Sequence, residues 1–202
     1  MSRKRMKIIC ITGAMSGVGK TTLSEKLLSR LENWVACKVT ACVGGKKHRC
    51  PRGMDDTCGV CSSLDENYVI EDSSEVIAVL GKDTGRLLSA GAEKVLWVKA
   101  RPKFVSTAVE KVIHRLQGYD GIIFEGNHAL KHLNPDIALM VLSRDGKYKR
   151  SAKNVIDKVD IFIDWETEDM LIGRIIESLE HIKRDNTSGE SRGISSLMKA
   201  KD

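Results

Sequence analysis

Short apolar runs alternate along this chain with stretches whose apolar residues recur at helical spacing. The apolar runs predict strands over residues 8–11, 35–43, 94–99, 122–124, 137–142 and 159–163. Helical spacing predicts helices over 20–31, 84–91, 104–116 and 167–182, and a short one over 151–158. Residues 76–80 fit either a short strand or a helix. This alternation predicts an α/β fold, in which a mostly parallel sheet carries helices on both faces.

The chain has 202 residues, which is the usual size of one domain. We expect a single domain over residues 1–183. Within it, residues 42–66 lose periodicity and gather cysteine, proline and glycine, which predicts an insertion between two regular elements. Residues 184–202 are rich in Ser, Gly and Lys, and we expect them to form a mobile C-terminal tail.

The turn between the first predicted strand and the first predicted helix has the spacing of a phosphate-binding P-loop. Strict spacing requires glycine where Ala14 stands, which is a mild departure. Glycines at 17 and 19 let backbone N–H groups turn toward a phosphate, Lys20 reaches the terminal phosphates, and Thr21 offers a hydroxyl to Mg²⁺. The alternative is a glycine-rich turn without this function. We predict that GTP or ATP binds, with Mg²⁺, at Gly17, Val18, Gly19, Lys20, Thr21 and Thr22.

A carboxylate follows the strand predicted over 122–124. Glu125 stands where that strand ends, and the carboxyl ends of parallel strands meet at one edge of a sheet. Phosphoryl transfer requires neutralised charge and an aligned nucleophile, so we predict that Glu125 holds Mg²⁺ through a water or orients the attacking water. The alternative is a carboxylate that only caps a turn. Lys20 and Glu125 are therefore predicted catalytic residues.

Opposite charges and two glycines cluster just before the helix predicted over 84–91. The segment reads Gly81-Lys82-Asp83-Thr84-Gly85-Arg86. One interpretation is that Asp83 or Thr84 caps the helix and does nothing more. The other is that Lys82, Asp83 and Arg86 face the nucleotide or a second substrate. The spacing alone does not choose between them.

The order of three segments resembles one known family. The P-loop, the segment 81–92 with the sequence Gly-Lys-Asp-Thr-Gly-Arg-Leu-Leu-Ser-Ala-Gly-Ala, and Phe124-Glu125-Gly126 follow one another as in the molybdopterin-guanine dinucleotide biosynthesis protein B family. The resemblance covers residues 6–143, and the middle segment is its specific part. It implies a three-layer α/β/α P-loop NTPase, often dimeric, that assists attachment of a nucleotide to molybdopterin.

The same resemblance implies roles for individual residues. Lys82 would join the nucleotide-binding residues, and Asp83 would join the catalytic ones. After its second strand the family tends to be rich in histidine, whereas this chain has cysteines over residues 42–61. Carried over position by position, phosphates and Mg²⁺ would be bound by Gly17, Gly19, Lys20 and Thr21, and the site would be completed by Asp83 and Glu125.

Six cysteines are present, and four of them fall within residues 42–61. Tetrahedral sulfur coordination suits Zn²⁺ or an Fe–S cluster, so we predict that these four thiolates hold one or the other. The alternatives are a redox dithiol at Cys58 and Cys61, or thiols without a ligand. Cys10 and Cys37 lie in or beside apolar strands and are predicted core residues. The four candidate metal ligands are Cys42, Cys50, Cys58 and Cys61.

Base recognition is not carried by a standard motif. Guanine-specific GTPases commonly place Asn-Lys-x-Asp after a late strand, whereas this chain has Asp164-Trp165-Glu166-Thr167 there. Asp164 is a candidate acceptor of hydrogen bonds from guanine. One interpretation of Trp165 is that it stacks on the base, and the other is that it packs at a helix entrance, where tryptophan more often packs.

Composition narrows the class of partner. The net charge is +6 and aromatic residues make up 4% of the chain, without the basic and aromatic interleaving of single-strand binders, so nucleic acid is not expected. No apolar run approaches the roughly 20 residues that span a bilayer, and we expect a cytoplasmic protein without membrane contact. The P-loop predicts a nucleotide as partner, and the family resemblance implies a protein in cofactor assembly and a second copy of the chain.

Together these features predict a P-loop NTPase that binds GTP or ATP with Mg²⁺ and assists molybdopterin-guanine dinucleotide biosynthesis, which belongs to molybdenum cofactor assembly. Hydrolysis is expected to be slow without a partner, and the sequence assigns no arginine finger. Two alternatives remain open. A metallochaperone GTPase would carry metal on the cysteine loop, and a small-molecule kinase would pass the phosphoryl group to an acceptor.

The cysteine hypothesis makes a prediction of its own. If four thiolates form one site, elemental analysis of anaerobically purified protein will find about one zinc per chain, or iron with acid-labile sulfide. Finding neither, together with six freely reactive thiols, would contradict the predicted metal site.

Overall fold

Seven strands form one sheet in the computed structural model, which describes residues 5–42, 64, 66–164 and 168–185. The strand order is β3-β4-β2-β5-β1-β6-β7; β3 is antiparallel to β4, and all other pairs are parallel. The predicted mostly parallel sheet is therefore confirmed. The strands are β1 Lys7–Gly13, β2 Trp34–Ala41, β3 Tyr68–Glu71, β4 Val95–Ala100, β5 Gly121–Glu125, β6 Ile137–Val141 and β7 Ile161–Ile163.

Helices follow most of the strands, as the periodicity predicts. Residues 76 and 77 end a short helix, and residues 78–80 form neither helix nor strand. Residues 151–158 divide between a short helix and the 3₁₀ turn Ile156–Lys158. A further 3₁₀ turn, Pro102–Phe104, precedes the fourth helix. Within the described residues, none of the helices has the length and apolar character needed to cross a membrane. The helices are α1 Lys20–Leu28, α2 Ser74–Ile77, α3 Asp83–Ser89, α4 Val105–Arg115, α5 Asn127–Leu130, α6 Arg150–Lys153 and α7 Glu168–Asp185.

Two apolar cores lie on opposite faces of the sheet, because successive side chains of a strand point to opposite sides. On one face, Ile9 and Ile11 of β1 pack with Leu27 and other residues of α1, α3 and α7. On the other face, Cys10 of β1 packs with Val109 and other residues of α4, α5 and α6. The fold is therefore the three-layer α/β/α arrangement predicted from the sequence.

Among the strands of the described residues, the edge strand β3 is the one that the sequence did not predict. It has four residues, Tyr68–Glu71, which is too short for an alternating pattern to be recognised. It pairs antiparallel with β4, with Tyr68 opposite Ala100 and Glu71 opposite Trp97. Its direction reverses the parallel order that strand and helix alternation predicts.

One row of paired residues crosses three neighbouring strands near their carboxyl ends. Ile11 of β1 is paired with Glu125 of β5, and Glu125 is paired with Lys38 of β2. Paired residues of adjacent parallel strands share a face of the sheet. Glu125 and Lys38 therefore lie on the face that also carries Ile11, which is the face covered by α1 and α3.

Cys10 and Cys37 occupy the opposite face. Both are fully buried, and both are paired with Phe124 of β5, one from each side. Burial raises the pKa of each thiol far above its usual value. The prediction that these two cysteines are core residues is confirmed.

Packing at the start of β5 yields a test of the fold. The indole ring of Trp34 lies over Gly121 so closely that a Cβ atom there would overlap it. We expect Gly121→Ala to destabilise the protein by about 1–3 kcal/mol, as overpacking does. Gly173 of α7 is the matched control, since no atom lies within 4 Å of the added Cβ. Gly173→Ala is expected to stabilise the helix by roughly 0.5–1 kcal/mol. Urea unfolding measures both changes, and equal midpoints for the two variants would contradict the packing of Trp34.

Candidate functional site

The loop from residue 14 to residue 19 joins β1 to α1 and contains two glycines in the left-handed region. Gly17 has φ 72° and Gly19 has φ 97°, which other residues adopt only with strain. Gly19 is the N-cap of α1 and makes no side-chain cap hydrogen bond. The N–H groups of the first helical turn have no partners inside a helix. The loop therefore presents backbone donors to an anion at the N-terminus of α1.

The side chain of Lys20 folds back across the beginning of this loop. A Cβ atom placed on Gly13 would lie 3.0 Å from Cγ and Cδ of Lys20 and 2.8 Å from Cγ2 of Val18. Any side chain at residue 13 would therefore displace the stem of Lys20. With glycine at residue 13, the stem of Lys20 can lie against the backbone of the turn.

Ala14, at the place where the motif usually has glycine, is held by its backbone. Its N–H donates to the carbonyl of Val141 at 2.9 Å, and its carbonyl accepts from the N–H of Lys149 at 2.8 Å. The alanine is fully buried. These bonds fix the loop to the end of β6 and to the segment before α6, and the extra methyl group is accommodated in the core.

Asn127 also fixes the loop, and the sequence did not identify it. Its Oδ1 accepts from the N–H of Gly13 at 3.0 Å, and its Nδ2 donates to the carbonyl of Gly13 at 3.0 Å. The side chain is buried, with 4% of the residue exposed. An amide is suited to this task because it carries one donor and one acceptor side by side. Its position two residues after Glu125 was the available indication.

Thr21 and Glu125 meet below the loop. The Thr21 hydroxyl lies 3.1 Å from Oε1 and 3.0 Å from Oε2 of Glu125, and both residues are buried. Burial raises the pKa of the Glu125 carboxyl above its usual value, and the positive charges of Lys20 and Lys38 oppose that rise. Because burial outweighs these charges, a further cation beside the carboxylate would favour its ionised form.

Asp83 lies beside this pair, held by a lysine from the sheet. It is the first residue of α3, whose N-cap is Lys82, and no side chain caps that helix. The capping interpretation of Asp83 and Thr84 is therefore wrong. Instead, the ammonium group of Lys38 donates a hydrogen bond to Oδ2 of Asp83. Partial burial raises the pKa of Asp83, but the hydrogen bond and charge of Lys38 outweigh it and hold the pKa below its usual value.

Arg86 ties α3 to α1. Its Nε donates to Oε1 of Glu25 at 2.8 Å, Nη2 donates to Oε2 of Glu25 at 2.5 Å, and Nη2 also lies 3.2 Å from the hydroxyl of Thr22. This forked ion pair raises the pKa of Arg86. Thr22 thus has its hydroxyl engaged by Arg86, while Lys82 is exposed at the beginning of α3.

The structure brings together most of the residues that the sequence selected. The glycine loop, Lys20, Thr21, Asp83 and Glu125 lie near one another at the carboxyl edge of the sheet, where the charges of Lys20, Asp83 and Glu125 act on one another. The chain matches no model of a known protein family and no curated protein sequence. The likeness of residues 81–92 to the molybdopterin-guanine dinucleotide family therefore stands as a resemblance of motifs.

Asp164 and the cysteines occupy other positions. Asp164 is exposed and directly follows β7, two strands from β1 at the same edge of the sheet, and Trp165 lies outside the described residues. Cys42 is buried just after β2, where it packs with Leu64 against Val69 and Trp97. In the described part of the chain, no group of three or more His, Cys, Asp or Glu residues is placed to hold a metal ion. The other predicted metal ligands, Cys50, Cys58 and Cys61, lie outside the described residues.

The role of Asn127 can be tested by truncation. Asn127→Ala leaves the N–H and carbonyl of Gly13 without these partners in a buried place, and we expect a loss of about 1–3 kcal/mol in the free energy of unfolding. Asn154, exposed at the end of α6, is the matched control, and Asn154→Ala should change stability by less than about 0.5 kcal/mol. Chemical denaturation measures both, and an Asn127→Ala protein as stable as the control would contradict this role.

Proposed function

We propose that this chain is a P-loop protein that binds GTP or ATP together with Mg²⁺ and hydrolyses it slowly. The observation that carries the proposal is the contact between the Thr21 hydroxyl and both carboxylate oxygens of Glu125, at 3.1 and 3.0 Å, at the base of a glycine loop. A hydroxyl and a carboxylate next to a phosphate-binding turn are the oxygen ligands that Mg²⁺ takes in nucleotide sites.

Phosphate binding is supported by the loop and the helix that follows it. The left-handed conformations of Gly17 and Gly19 turn backbone N–H groups inward, and α1 begins at Lys20 with its positive end at the loop. The Lys20 ammonium group adds a full positive charge. These groups would hold the triphosphate and keep its terminal phosphate above Thr21.

The residues present fit a magnesium ion. Thr21 and Glu125 are 7% and 4% exposed, both offer oxygen, and burial disfavours the charge on Glu125 unless a cation lies beside it. Two protein ligands suffice, because Mg²⁺ usually keeps several waters and binds substrate phosphates. When bound, Mg²⁺ would neutralise charge that develops on the β- and γ-phosphate oxygens.

The pathway rests on the resemblance in residues 81–92. The helix formed by that segment, α3, is anchored to α1 through Arg86 and Glu25, and it carries Asp83 to the edge of the proposed phosphate site. The segment that resembles the family therefore lies in the wall of the site and not on a remote surface. We propose, on this basis, an accessory role in molybdopterin-guanine dinucleotide biosynthesis, with a protein partner and a homodimer as part of the same proposal.

The P-loop lysine gives the main test. Lys20→Ala removes a charged donor to phosphate, and we expect the affinity for GTP or ATP to fall about 10- to 150-fold, the equivalent of a lost charged hydrogen bond. Lys26→Ala is the control, since Lys26 lies on the same helix but pairs with Asp169 at 3.0 Å. Titration of a fluorescent nucleotide analogue measures both affinities. A Lys20→Ala protein that binds and turns over nucleotide at the wild-type rate would overturn the proposal.

The magnesium ligands give a second readout in the same experiment. Thr21→Ala should raise the Mg²⁺ concentration that half-saturates nucleotide binding by about tenfold or more, since one oxygen ligand is lost. Nucleotide affinity measured in EDTA should change much less. An unchanged Mg²⁺ requirement in Thr21→Ala would exclude Thr21 as a ligand while leaving phosphate binding intact.

A further inference from the structure

Lys38 is a cation beside Glu125 that was not among the residues selected from the sequence. It lies on β2, paired across the strands with Glu125, and its side chain is 20% exposed. Its ammonium group forms an ion pair with Asp83. Adjacent strands are about 4.8 Å apart, so the stem of Lys38 begins one strand away from the carboxylate that is bound to Thr21.

The arrangement of strands determines what this lysine faces. Because β5 lies between β1 and β2, the loop after β1 and Lys38 lie on opposite sides of Glu125. A terminal phosphate held by Lys20, with Mg²⁺ on Thr21 and Glu125, would lie next to Glu125. It would then have Lys20 on the side of β1 and the Lys38–Asp83 pair on the side of β2.

Two other cations near the site differ from Lys38 in their surroundings. The guanidinium group of Arg86 is forked on Glu25 and also contacts Thr22. Lys82 is exposed at the N-cap of α3. Lys38, by contrast, is paired with Glu125 across the strands and forms its ion pair with Asp83, and its charge acts on the Glu125 carboxylate.

The side chain of Lys38 also lies against the ring of Trp97 on the neighbouring strand β4. Its Nζ lies 5.5 Å from the centroid of the Trp97 ring, and the Trp97 indole N–H donates to the hydroxyl of Thr40 at 3.0 Å. A cation within about 6 Å of an aromatic face is attracted to it. The ring and the carboxylate of Asp83 together restrict the positions that the ammonium group can take.

We infer that Lys38 supplies, from within the chain, the positive charge that stabilises the terminal phosphate during its transfer, and that Asp83 is the positioning residue that holds the Lys38 ammonium group. This inference rests on the proposed nucleotide hydrolysis. In that reaction a water oxygen bonds to the terminal phosphorus as the bond to the bridging oxygen breaks. Nucleoside diphosphate, inorganic phosphate and a proton released to solvent are formed. Lys38 keeps its proton throughout and acts by charge alone.

The chain contains a matched control for Lys38. Lys99 lies on the same face of the sheet, its Nζ is 4.6 Å from the centroid of the same Trp97 ring, and it pairs with Glu71 at 3.8 Å. It thus shares the chemistry of Lys38 but stands on β4, farther from Glu125. Lys99→Met should leave the hydrolysis rate unchanged.

The experiment compares Lys38→Met, Lys38→Arg, Asp83→Asn and Lys99→Met with the wild type. We expect Lys38→Met to lower the single-turnover rate about 10²- to 10³-fold, as loss of one charge-stabilising donor does. Affinities for GDP and ADP should stay within about threefold of wild type, or ~0.6 kcal/mol. Lys38→Arg keeps the charge and should restore part of the rate, and Asp83→Asn should lower it by about tenfold, because the ammonium group loses its anchor.

A second measurement does not depend on turnover. Aluminium fluoride with GDP or ADP and Mg²⁺ mimics the transferring phosphoryl group, and Lys38→Met should lose this complex while it still binds the diphosphate alone. Equal rates and equal aluminium fluoride binding in Lys38→Met and Lys99→Met would overturn the inference. If the wild type binds no nucleotide, the proposed function fails first. If Lys38→Met does not fold, Lys38→Arg and Asp83→Asn decide, and wild-type behaviour of Asp83→Asn would exclude its positioning role.

Discussion

The buried carboxylate of Glu125 is the constraint on which the rest of the site depends. Removing an ionised carboxylate from water costs several kcal/mol unless hydrogen bonds and opposite charges compensate. At 4% exposure, Glu125 has the hydroxyl of Thr21 and the positive charges of Lys20 and Lys38 for this purpose. The loop, the helix and the neighbouring strand must therefore stay in register around it.

Parallel pairing of β1, β5 and β2 brings the other residues of the candidate site next to Glu125. The carboxyl ends of β1, β5 and β2 are adjacent, so the glycine loop, Glu125 and Lys38 are delivered to one edge by the sheet itself. Asn127 adds the connection that the strands lack, because it joins the turn after β5 to both backbone groups of Gly13. The position of the loop is thus set by the core and by one buried amide, and the helix dipole of α1 points into a place that is already fixed.

Local patterns in the sequence were sufficient for those features that depend on neighbouring residues. Alternating strands and helices, the glycine loop before α1 and the carboxylate at the end of β5 all follow from short segments, and the structure has them at the expected places. Lys38 could not be selected in this way, because its pairing with Glu125 depends on the order of the strands and not on nearby residues. The edge strand β3 is too short to show a pattern, and Asn127 acquires its role only when Gly13 is brought beside it.

In the segment 81–92, which resembles a known family, packing and an ion pair fix the position of Asp83. Gly85 packs so closely on the carbonyl of Val79 that a Cβ atom there would overlap it, so helix α3 folds back directly onto the turn before it. Arg86, one residue later, fastens that helix to Glu25 of α1. These two contacts hold helix α3 in place. Asp83, the first residue of that helix, is thereby held where its carboxylate accepts a hydrogen bond from Lys38. Gly85 and Arg86 therefore have structural roles that do not depend on nucleotide chemistry. Asp83 is the residue of this motif that contacts Lys38 in the candidate site.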